Sequence, residues 1–464
     1  MTRRLLVLAA LGLLLASGLT QFTSAAFTSA TAVPSNSVVV DKLSNYFSVV
    51  PGTAVQAGTS TPVASGDVDS LSMAFGTVPS ARTFTNVFHI TNVSGSSRTA
   101  TLALSGAPQI SSAVFASSGS TTASLAAGAS TTLSVTTSAT VAGHGTGSLK
   151  LGLSGVSWLY RTYSVSLDEA PEAPSTTVAT QASGGRLNVS WAASSTVTNF
   201  AGYNLYRSSG AGYTKLNASA LTGTTYSDTA TVDGTTYTYK VRGVSTGAPT
   251  LESVDGPVAT ATADATPPGQ PAAIALANGG GAGGAYINSA NGSSLSVSVT
   301  LAAGWVSTDT VTLTVQGVSR TVNPSSGTVT FSGIDLTGAG DGTITFTATS
   351  TDVAGNVSAS RSASFTKDTV APAAPTGAYT DNVNANADVV AGTAEANASI
   401  TITETIPASA TFSGSANGAG SYSINVAGIN GNGGHPTAFS YSVRATDAAG
   451  NTSAATVVAG SDTK

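Results

Sequence analysis

D-G-T-T-Y-T-Y-K-V, residues 233–241, is a turn followed by a strand whose residues alternate strictly. Tyr237, Tyr239 and Val241 fall on one face of that strand, because successive side chains of a strand point to opposite faces. Two earlier runs alternate in the same way: Leu187, Val189 and Trp191, then Tyr203, Leu205 and Arg207. Such short runs predict an antiparallel β-sandwich in which the Trp is buried and the late Tyr ties its hydroxyl to the backbone at a corner.

These residues resemble a fibronectin type III module over residues 174–262, and residues 233–241 are the most specific part of the match. Four residues form its structural signature: Trp191, Tyr203, Tyr237 and Tyr239. The resemblance implies a sandwich but no particular reaction, because such modules serve as spacers and binders in many proteins.

Composition points to a β-rich chain of several domains. The 464 residues suggest about three or four domains. Only 8% of residues are charged, while 41% are hydrophobic, which favours folded sandwiches. A net charge of -5 gives no electrostatic reason to bind nucleic acid. The absence of cysteine excludes thiol catalysis, thiolate metal sites and disulfides.

The N-terminus, residues 1–26, is predicted to be an export signal. Arg3 and Arg4 form a positive segment, residues 5–19 an apolar segment, and small residues follow around Ala25 and Ala26. The apolar segment is shorter than the roughly 20 residues of a membrane span. We therefore expect no stable membrane span after cleavage, with an uncleaved anchor as the alternative. The protein is predicted to be secreted, and to be extracellular or associated with the cell surface.

The segment that follows the signal has a resemblance of its own. A-F-T at residues 26–28 and N-x-V-V-V-D at residues 36–41 resemble the mature start of secreted Gram-positive proteins of the biofilm-fibre and camelysin type. In that family the segment is a strand of the first sandwich, sometimes passed between subunits.

Proline pairs divide the rest of the chain. They stand at Pro171/Pro174, Pro268/Pro271 and Pro372/Pro375, about 100 residues apart, which is the size of one sandwich. Because proline fixes φ and cannot pair inside a sheet, each pair is predicted to be a stiff joint. The predicted domains are an N-terminal Ig-like sandwich at 27–168 with an exposed loop at 51–66, a fibronectin type III module at 172–262, and two further sandwiches at 264–367 and 368–464.

The last two domains repeat one another. T-D-V-A-G-N at residues 351–356 recurs as T-D-A-A-G-N at residues 446–451, each after an alternating strand and each with an Asp-bearing linker ahead of its domain. This combination resembles the bacterial Ig-like repeats of surface adhesins over residues 264–464. Repetition of one folding unit builds length rather than a catalytic cleft.

Calcium is the one cofactor that these motifs suggest, at the joints between domains. In a seven-stranded sandwich the loop after the penultimate strand returns to the end where the chain enters, which places Asp352 near Asp264 and Asp447 near Asp368. These carboxylates, together with Asn356 and Asn451, are hard oxygen ligands of the kind that calcium prefers. The alternative is that the Asp and Asn side chains form turn hydrogen bonds to the backbone.

Histidine and glycine patterns do not indicate catalysis. His89 falls in a strand, His144 and His435 fall in Gly-rich stretches predicted to be loops, and the three form no zinc pattern. The G-x-G-x-x-G match at residues 279–284 has no helix after it to face a pyrophosphate, so it is predicted to be a flexible loop.

Carboxylate pairs and aromatic residues were the remaining candidates. A glycosidase needs two carboxylates facing one cleft, but Asp67/Asp69 and Asp168/Glu169 lack a large surrounding domain, so they are predicted to be solvated. Sugar binding without catalysis needs exposed aromatic faces. Trp158 with Tyr160, or Trp305, are candidates, although a core position is favoured for Trp158.

The sequence therefore predicts an all-β tandem array of Ig-like and fibronectin-like sandwiches with a non-catalytic extracellular structural or adhesive function. Its expected partners are extracellular proteins or polysaccharides, with self-association through edge strands as a further route. The alternative is an accessory component of a secreted polysaccharide-degrading system.

Overall fold

The computed structural model describes residues 43–51, 63–65, 72–381, 387–406, 410–427 and 439–460. The predicted export signal, the A-F-T and N-x-V-V-V-D segments, most of the predicted loop 51–66, Asp67, Asp69 and His435 lie outside the described residues. Within the described ranges the regular structure is strand, apart from 3-10 turns at Leu43–Asn45, Ser183–Gly185 and Ala282–Gly284. The predicted all-β class is therefore confirmed.

No helix in the described part of the chain is long and apolar enough to cross a membrane.

The chain divides into two compact units. The first unit consists of Met1–Ala173, Ser194–Ala201 and Gly243–Val254. The second unit consists of Pro174–Ala193, Gly202–Arg242 and Asp255–Lys464.

The N-terminal sandwich lies in the first unit. Its strands are β1 (Phe47–Pro51), β2 (Val63–Ser65), β3 (Ser72–Val78), β4 (Thr83–Phe84), β5 (Phe88–Asn92), β6 (Arg98–Gly106), β7 (Ile110–Phe115), β8 (Thr122–Leu125), β9 (Ser130–Thr137), β10 (Gly143–Leu153) and β11 (Val156–Glu169). One sheet has the order β1-β5-β9-β4, with β7 also pairing with β9, and the other has the order β2-β3-β11-β10-β6-β8. Alternating apolar side chains from both sheets form one core, in which Phe75, Phe88, Leu133, Leu149 and Tyr163 are fully buried.

His144 was predicted to lie in a loop and instead lies in β10, opposite Asp168 of β11. The glycines around it serve close packing rather than a turn. A Cβ at Gly145 would lie 2.0 Å from the Gln109 side chain, and one at Gly147 would lie 2.5 Å from the Ser105 carbonyl oxygen. The prediction was wrong because a Gly-rich run also suits a strand that another backbone approaches closely.

The fibronectin-like sandwich has strands β12 (Thr177–Gln181), β13 (Leu187–Trp191), β14 (Phe200–Ser208), β15 (Thr214–Lys215), β16 (Thr225–Asp228), β17 (Thr236–Ser245) and β18 (Ala259–Thr262). Its sheets have the orders β12-β13-β16 and β15-β14-β17-β18.

The four signature residues occupy the core of this sandwich. The rings of Trp191 and Tyr203 pack edge to face with their centroids 5.5 Å apart. The Tyr237 hydroxyl accepts a hydrogen bond of 3.0 Å from the Val232 N–H, which is the predicted corner. The buried Tyr239 hydroxyl donates to Asp228 Oδ2 at 2.8 Å.

The third sandwich has strands β19 (Ala273–Leu276), β20 (Tyr286–Ile287), β21 (Leu295–Thr300), β22 (Thr310–Val315), β23 (Val318–Val322), β24 (Thr328–Ile334), β25 (Gly342–Thr351) and β26 (Arg361–Lys367). Its sheets have the orders β19-β21-β24 and β20-β26-β25-β22-β23.

The fourth sandwich has strands β27 (Ala378–Thr380), β28 (Ala387–Thr393), β29 (Ser399–Ile406), β30 (Thr411–Ser415), β31 (Ser421–Ala427), β32 (Phe439–Thr446) and β33 (Thr456–Gly460). Its sheets have the orders β27-β28-β31 and β30-β29-β32-β33. The third and fourth sandwiches thus each consist of a three-stranded sheet that faces a larger sheet. Each has its own apolar core.

Candidate functional site

The two T-D-x-A-G-N loops have the same local structure. Residues 352–356 connect β25 to β26, and residues 447–451 connect β32 to β33. In both loops the backbone N–H of the Asn donates to Oδ1 of the Asp at 2.8 Å. In both, the Gly has a positive φ, +87° at Gly355 and +91° at Gly450. Asp accepts hydrogen bonds from nearby backbone and Gly adopts this conformation without a steric penalty, so the motif specifies the turn.

Asn356 is the centre of a contact that we call the first joint: residues 352–356, the linker residue Asp264 and the turn Ser183–Gly185. Its Nδ2 donates to the Asp264 carbonyl oxygen at 3.0 Å and to Asp352 Oδ2 at 2.9 Å. Its Oδ1 accepts from the Gly184 N–H at 2.7 Å. One side chain, only 5% exposed, therefore links its own loop, the linker before its sandwich and the preceding sandwich.

Asn451 forms the second joint in the same way, with the linker residue Asp368 and with Ser289 of the preceding sandwich. Its Nδ2 donates to the Asp368 carbonyl oxygen at 2.9 Å and to Asp447 Oδ2 at 3.0 Å. Its Oδ1 accepts from both the N–H and the hydroxyl of Ser289, at 3.0 and 2.8 Å. In both Asn side chains, therefore, Nδ2 donates to a linker carbonyl and to a carboxylate of the loop, and Oδ1 accepts from the preceding sandwich.

Each linker also donates hydrogen bonds to a carboxylate that was not predicted from the sequence. Asp233 accepts hydrogen bonds from the Ala265 N–H at 2.7 Å and the Thr266 hydroxyl at 2.6 Å. Asp341 accepts from the Thr369 N–H at 2.9 Å, from the Thr369 hydroxyl at 3.0 Å and from Lys367 Nζ at 3.0 Å.

The backbone N–H donors of Ala265 and Thr369 hold the pKa values of Asp233 and Asp341 below the usual range of a carboxyl group. Both residues could have been identified from the sequence, since each begins an Asp-Gly pair at the entry to the penultimate strand of its sandwich.

The glycine-rich run 279–284 belongs to the second joint. A Cβ added to Gly281 would lie 2.2 Å from the Ala448 carbonyl oxygen, and one added to Gly280 would lie 2.8 Å from that of Ala449. Asn288 Nδ2 donates to the Ala449 carbonyl oxygen at 2.8 Å. The run, predicted to be a flexible loop, instead packs directly against the T-D-A-A-G-N loop, because glycine permits that close approach.

The residues predicted to bind calcium are brought together at both joints. Asp264 and Asp352 line one cleft of about 180 Å³ beside the first joint, and Asp309 and Trp305 line it too. Asn356 and Asn451, however, direct their amide oxygens at N–H groups of the preceding sandwich rather than into that cleft. Across the described ranges, no group of three or more His, Cys, Asp or Glu side chains has an arrangement that could hold a metal ion. The calcium assignment stays a prediction.

Asp168 and Glu169 do not form a catalytic pair, because neighbouring residues of a strand face opposite ways. Asp168 Oδ1 lies 2.7 Å from Nδ1 of His144 at the surface. Glu169 is only 1% exposed, and its burial raises the pKa of the carboxyl group to about 8. The prediction that both carboxylates are solvated is therefore wrong for Glu169, since the end of the first sandwich encloses it.

One serine pattern was absent from the sequence-based predictions. Residues 243–247 read G-V-S-T-G, the spacing of a hydrolase nucleophile elbow. Ser245 ends strand β17, is 1% exposed, and its hydroxyl oxygen accepts the Leu251 N–H at 2.9 Å. A buried hydroxyl with a structural partner and no following helix is unsuited to nucleophilic attack.

Trp158 is the clearest correction among the aromatic residues. Its favoured core position is wrong, since 65% of the side chain is exposed on strand β11. Tyr160, two residues later on the same face, is 37% exposed. Trp305, by contrast, is half-buried against the core of the third sandwich.

Comparison with known families agrees with the fold of the C-terminal part. Residues 371–462 match the model of the bacterial Ig domain. Together with the paired sheets along the described chain, this match supports the prediction of a multidomain Ig-like and fibronectin-like protein. The comparisons do not support the resemblance of the N-terminal segment to biofilm-fibre and camelysin-type proteins.

One curated relative is similar to this chain over a short stretch. An amylopullulanase of Thermoanaerobacterium saccharolyticum is 44% identical over 77 residues, which are 16% of this chain and 6% of that enzyme. The chain therefore matches only a small fraction of that relative's length.

Three solved structures are among those with some similarity to this chain. A Ca²⁺-stabilised adhesin that helps an Antarctic bacterium reach out and bind ice is 20% identical, with a TM-score of 0.29, covering 84% of this chain and 95% of that one. The FN1–FN3 domains of chicken CNTN1 are 11% identical, with a TM-score of 0.30, covering 64% and 100%. An Fn3-like protein from Clostridium thermocellum is 32% identical, with a TM-score of 0.15, covering 19% and 92%. Scores this low carry no functional inference.

Proposed function

We propose that this chain is a non-catalytic extracellular protein of structural or adhesive function, in which β-sandwiches are linked in series and present binding surfaces. The observation that carries the proposal is the repetition of one hydrogen-bonded joint. Asn356 and Asn451 make equivalent contacts although the sandwiches that precede them differ in sequence and strand number. A joint reproduced this closely is expected where the orientation of consecutive domains matters, and a catalytic cleft does not require it.

An asparagine suits this position because its amide both donates and accepts. Nδ2 satisfies a linker carbonyl and a loop carboxylate, while Oδ1 satisfies an N–H of the preceding sandwich. Removing the amide deprives the Gly184 N–H at the first joint and the Ser289 N–H at the second joint of their acceptor. Loss of such a hydrogen bond costs about 0.5–1.5 kcal/mol.

The test is hydrogen exchange on the full chain with Asn356→Ala and Asn451→Ala. The exchange rate of the Gly184 amide should rise about tenfold in Asn356→Ala, and that of the Ser289 amide by a similar factor in Asn451→Ala. Asn188→Ala, which changes an exposed asparagine in strand β13, should leave both amides protected. Unchanged protection in the two joint variants would mean that other contacts hold the domains, and the proposal would lose its support.

Calcium at the joints is part of this proposal. The residues that would hold the ion at the first joint are Asp264 and Asp352, which line one cleft. Asp368 and Asp447 are their counterparts at the second joint. A bound cation would add charge neutralisation to the Asn hydrogen bonds and so limit movement between domains.

A component of a polysaccharide-degrading system is the second candidate function. The 77-residue similarity to an amylopullulanase favours it, since sandwiches of this type can accompany a catalytic domain. Specific retention of the full chain on starch or pullulan would support this candidate, and its loss on deletion of residues 172–262 would place the binding in the fibronectin-like sandwich. No retention on either polymer would count against it.

A further inference from the structure

The first unit has exposed aromatic side chains that take no part in the two joints. Trp158 and Tyr160 stand on the outer face of β11, while Leu159 between them is buried in the core. Their exposed fractions, 65% and 37%, are large for residues whose burial is normally favourable. Residues 157–159 have no register partner on β10, and the pairing resumes at Tyr160. Exposed aromatic side chains two residues apart on one strand are suited to binding a ligand.

The strand neighbours of Tyr160 include a glycine and residues that carry hydroxyl groups. Strand register places Gly152 beside Tyr160, with Thr101 beyond it, and places Lys150 beside Thr162. We call Trp158, Tyr160, Lys150, Thr101 and Thr162 the aromatic platform. Its apolar area is two rings, well short of the roughly 800 Å² per partner of a standard protein interface. A sugar fits better, because its C–H face packs on a ring while its hydroxyls meet other hydroxyls.

The platform also carries a cation without an acidic partner. Lys150 Nζ lies 3.6 Å from the centroid of the Tyr160 ring. No ion pair to Lys150 occurs among the described residues. From residue 72 to residue 167 the sequence contains four Arg and Lys residues but no Asp or Glu. A ligand with negative charge would therefore meet a complementary surface.

We propose that the aromatic platform binds an acidic polysaccharide whose sugar rings carry carboxylates, as uronic acid polymers do. The apolar face of a sugar ring packs against Trp158, and its carboxylate pairs with Lys150, which lies over the Tyr160 ring. The inference rests on the proposed adhesive function and names the chemical class of the partner.

The test is binding of the full chain to polygalacturonate, measured by affinity electrophoresis and calorimetry. Trp158→Ala should weaken binding about tenfold, or about 1.4 kcal/mol, since it removes most of the apolar contact. Lys150→Gln should weaken binding about threefold at about 50 mM NaCl and have little effect at about 500 mM, where salt screens the ion pair. Because Trp158 is exposed, its variant should keep the melting temperature of the wild type.

The fibronectin-like sandwich provides a matched control. Tyr213 is 40% exposed, and Lys240 Nζ lies 4.0 Å from its ring centroid, so the local arrangement is similar. Lys240, however, already pairs with Asp255 at 2.9 Å. Tyr213→Ala should therefore leave the affinity for polygalacturonate unchanged.

Several results would overturn the proposal. Absence of wild-type binding, or equal binding by Trp158→Ala, would show that the platform is not the site. Equally tight binding of neutral pullulan, unaffected by Lys150→Gln, would identify a neutral glycan instead. Trp158-dependent binding to vesicles of anionic lipid but not to polygalacturonate would identify a membrane surface. Hydrogen exchange at Gly184 and Ser289 tests the joints independently, so failure of the glycan proposal is distinguishable from failure of the adhesive one.

Discussion

Replacing Glu169 by Gln should remove a specific pH dependence from the stability of the first unit. The carboxyl group is buried at the end of β11, and no hydrogen-bond donor reaches its oxygens in ordinary geometry. Burial raises its pKa from 4.5 to about 8, and the charge of Glu172 adds to the rise, while the Thr137 hydroxyl and Arg82 oppose it. The folded protein therefore keeps the proton at neutral pH, whereas the unfolded chain loses it.

The sign of the effect follows from proton binding. Between pH 4.5 and about 8 Glu169 binds more protons in the folded state than in the unfolded state, so its contribution to stability is greatest below pH 4.5 and falls as the pH rises. The slope approaches about 1.4 kcal/mol per pH unit, and the full interval would amount to on the order of 5 kcal/mol. Because an ionised carboxylate can draw in water and move toward Arg82, we expect about half of that, ~2–3 kcal/mol.

The assay is urea unfolding and calorimetry of the full chain at several pH values from about 5 to about 8.5. The transition that contains the first unit should lose stability with rising pH in the wild type. Glu169→Gln should show a much flatter dependence, since its amide stays neutral. An identical slope in Glu169→Gln and the wild type would refute the reasoning, and so would a ¹³C-NMR titration midpoint near 4.5 for the Glu169 carboxyl.

Two further predictions concern the joints. Gly281→Ala should destabilise the second joint by about 2 kcal/mol more than Gly283→Ala, since both glycines have a positive φ but only the Cβ at 281 meets a carbonyl oxygen, that of Ala448. Equal exchange rates of the Ser289 amide in these two variants would contradict the packing argument. Millimolar calcium should raise the melting temperature of the wild type, and this rise should be lost in Asp352→Ala with Asp447→Ala. A calcium-independent melting temperature in the wild type would mean that the joints hold no calcium.

Much of the fold could be predicted because strand alternation is local. Leu187, Val189 and Trp191 were assigned to one buried face from their spacing alone, and the structure buries all three. The Tyr237 corner was predictable for the same reason, since its partner Val232 is only five residues away. Patterns of period two therefore specify both the sandwiches and their tight corners.

For the candidate site, the sequence predicted which residues lie near one another but not the hydrogen bonds that their side chains form. The rule that an antiparallel chain is back at its starting end after an even number of strands placed Asp352 beside Asp264 and Asp447 beside Asp368. It gave no information on side-chain direction, and Asn356 proved to bridge to Gly184 of the preceding sandwich. That contact spans 172 residues of sequence, and nothing local to either residue indicates it.

Burial of single residues was the least predictable property. Trp158 and Glu169 lie on the same strand, and either could have faced the core or the solvent. Their environments depend on which other segments cover each end of β11, and those contacts are remote in sequence. Intrinsic preference placed Trp158 inside and Glu169 outside, and both assignments were reversed by the tertiary structure.

The two joints together suggest what the T-D-x-A-G-N loop recognises. Asn356 takes its N–H from a 3-10 turn of a fibronectin-like sandwich, whereas Asn451 takes one from Ser289 of an Ig-like sandwich. The donors common to the two cases are backbone N–H groups, which every residue except proline has. Each Ig-like sandwich therefore carries most of the connector itself, in its linker and its last loop, and places little demand on the sequence of its predecessor. Such a connector allows different sandwiches to precede the same repeat while the joint is kept.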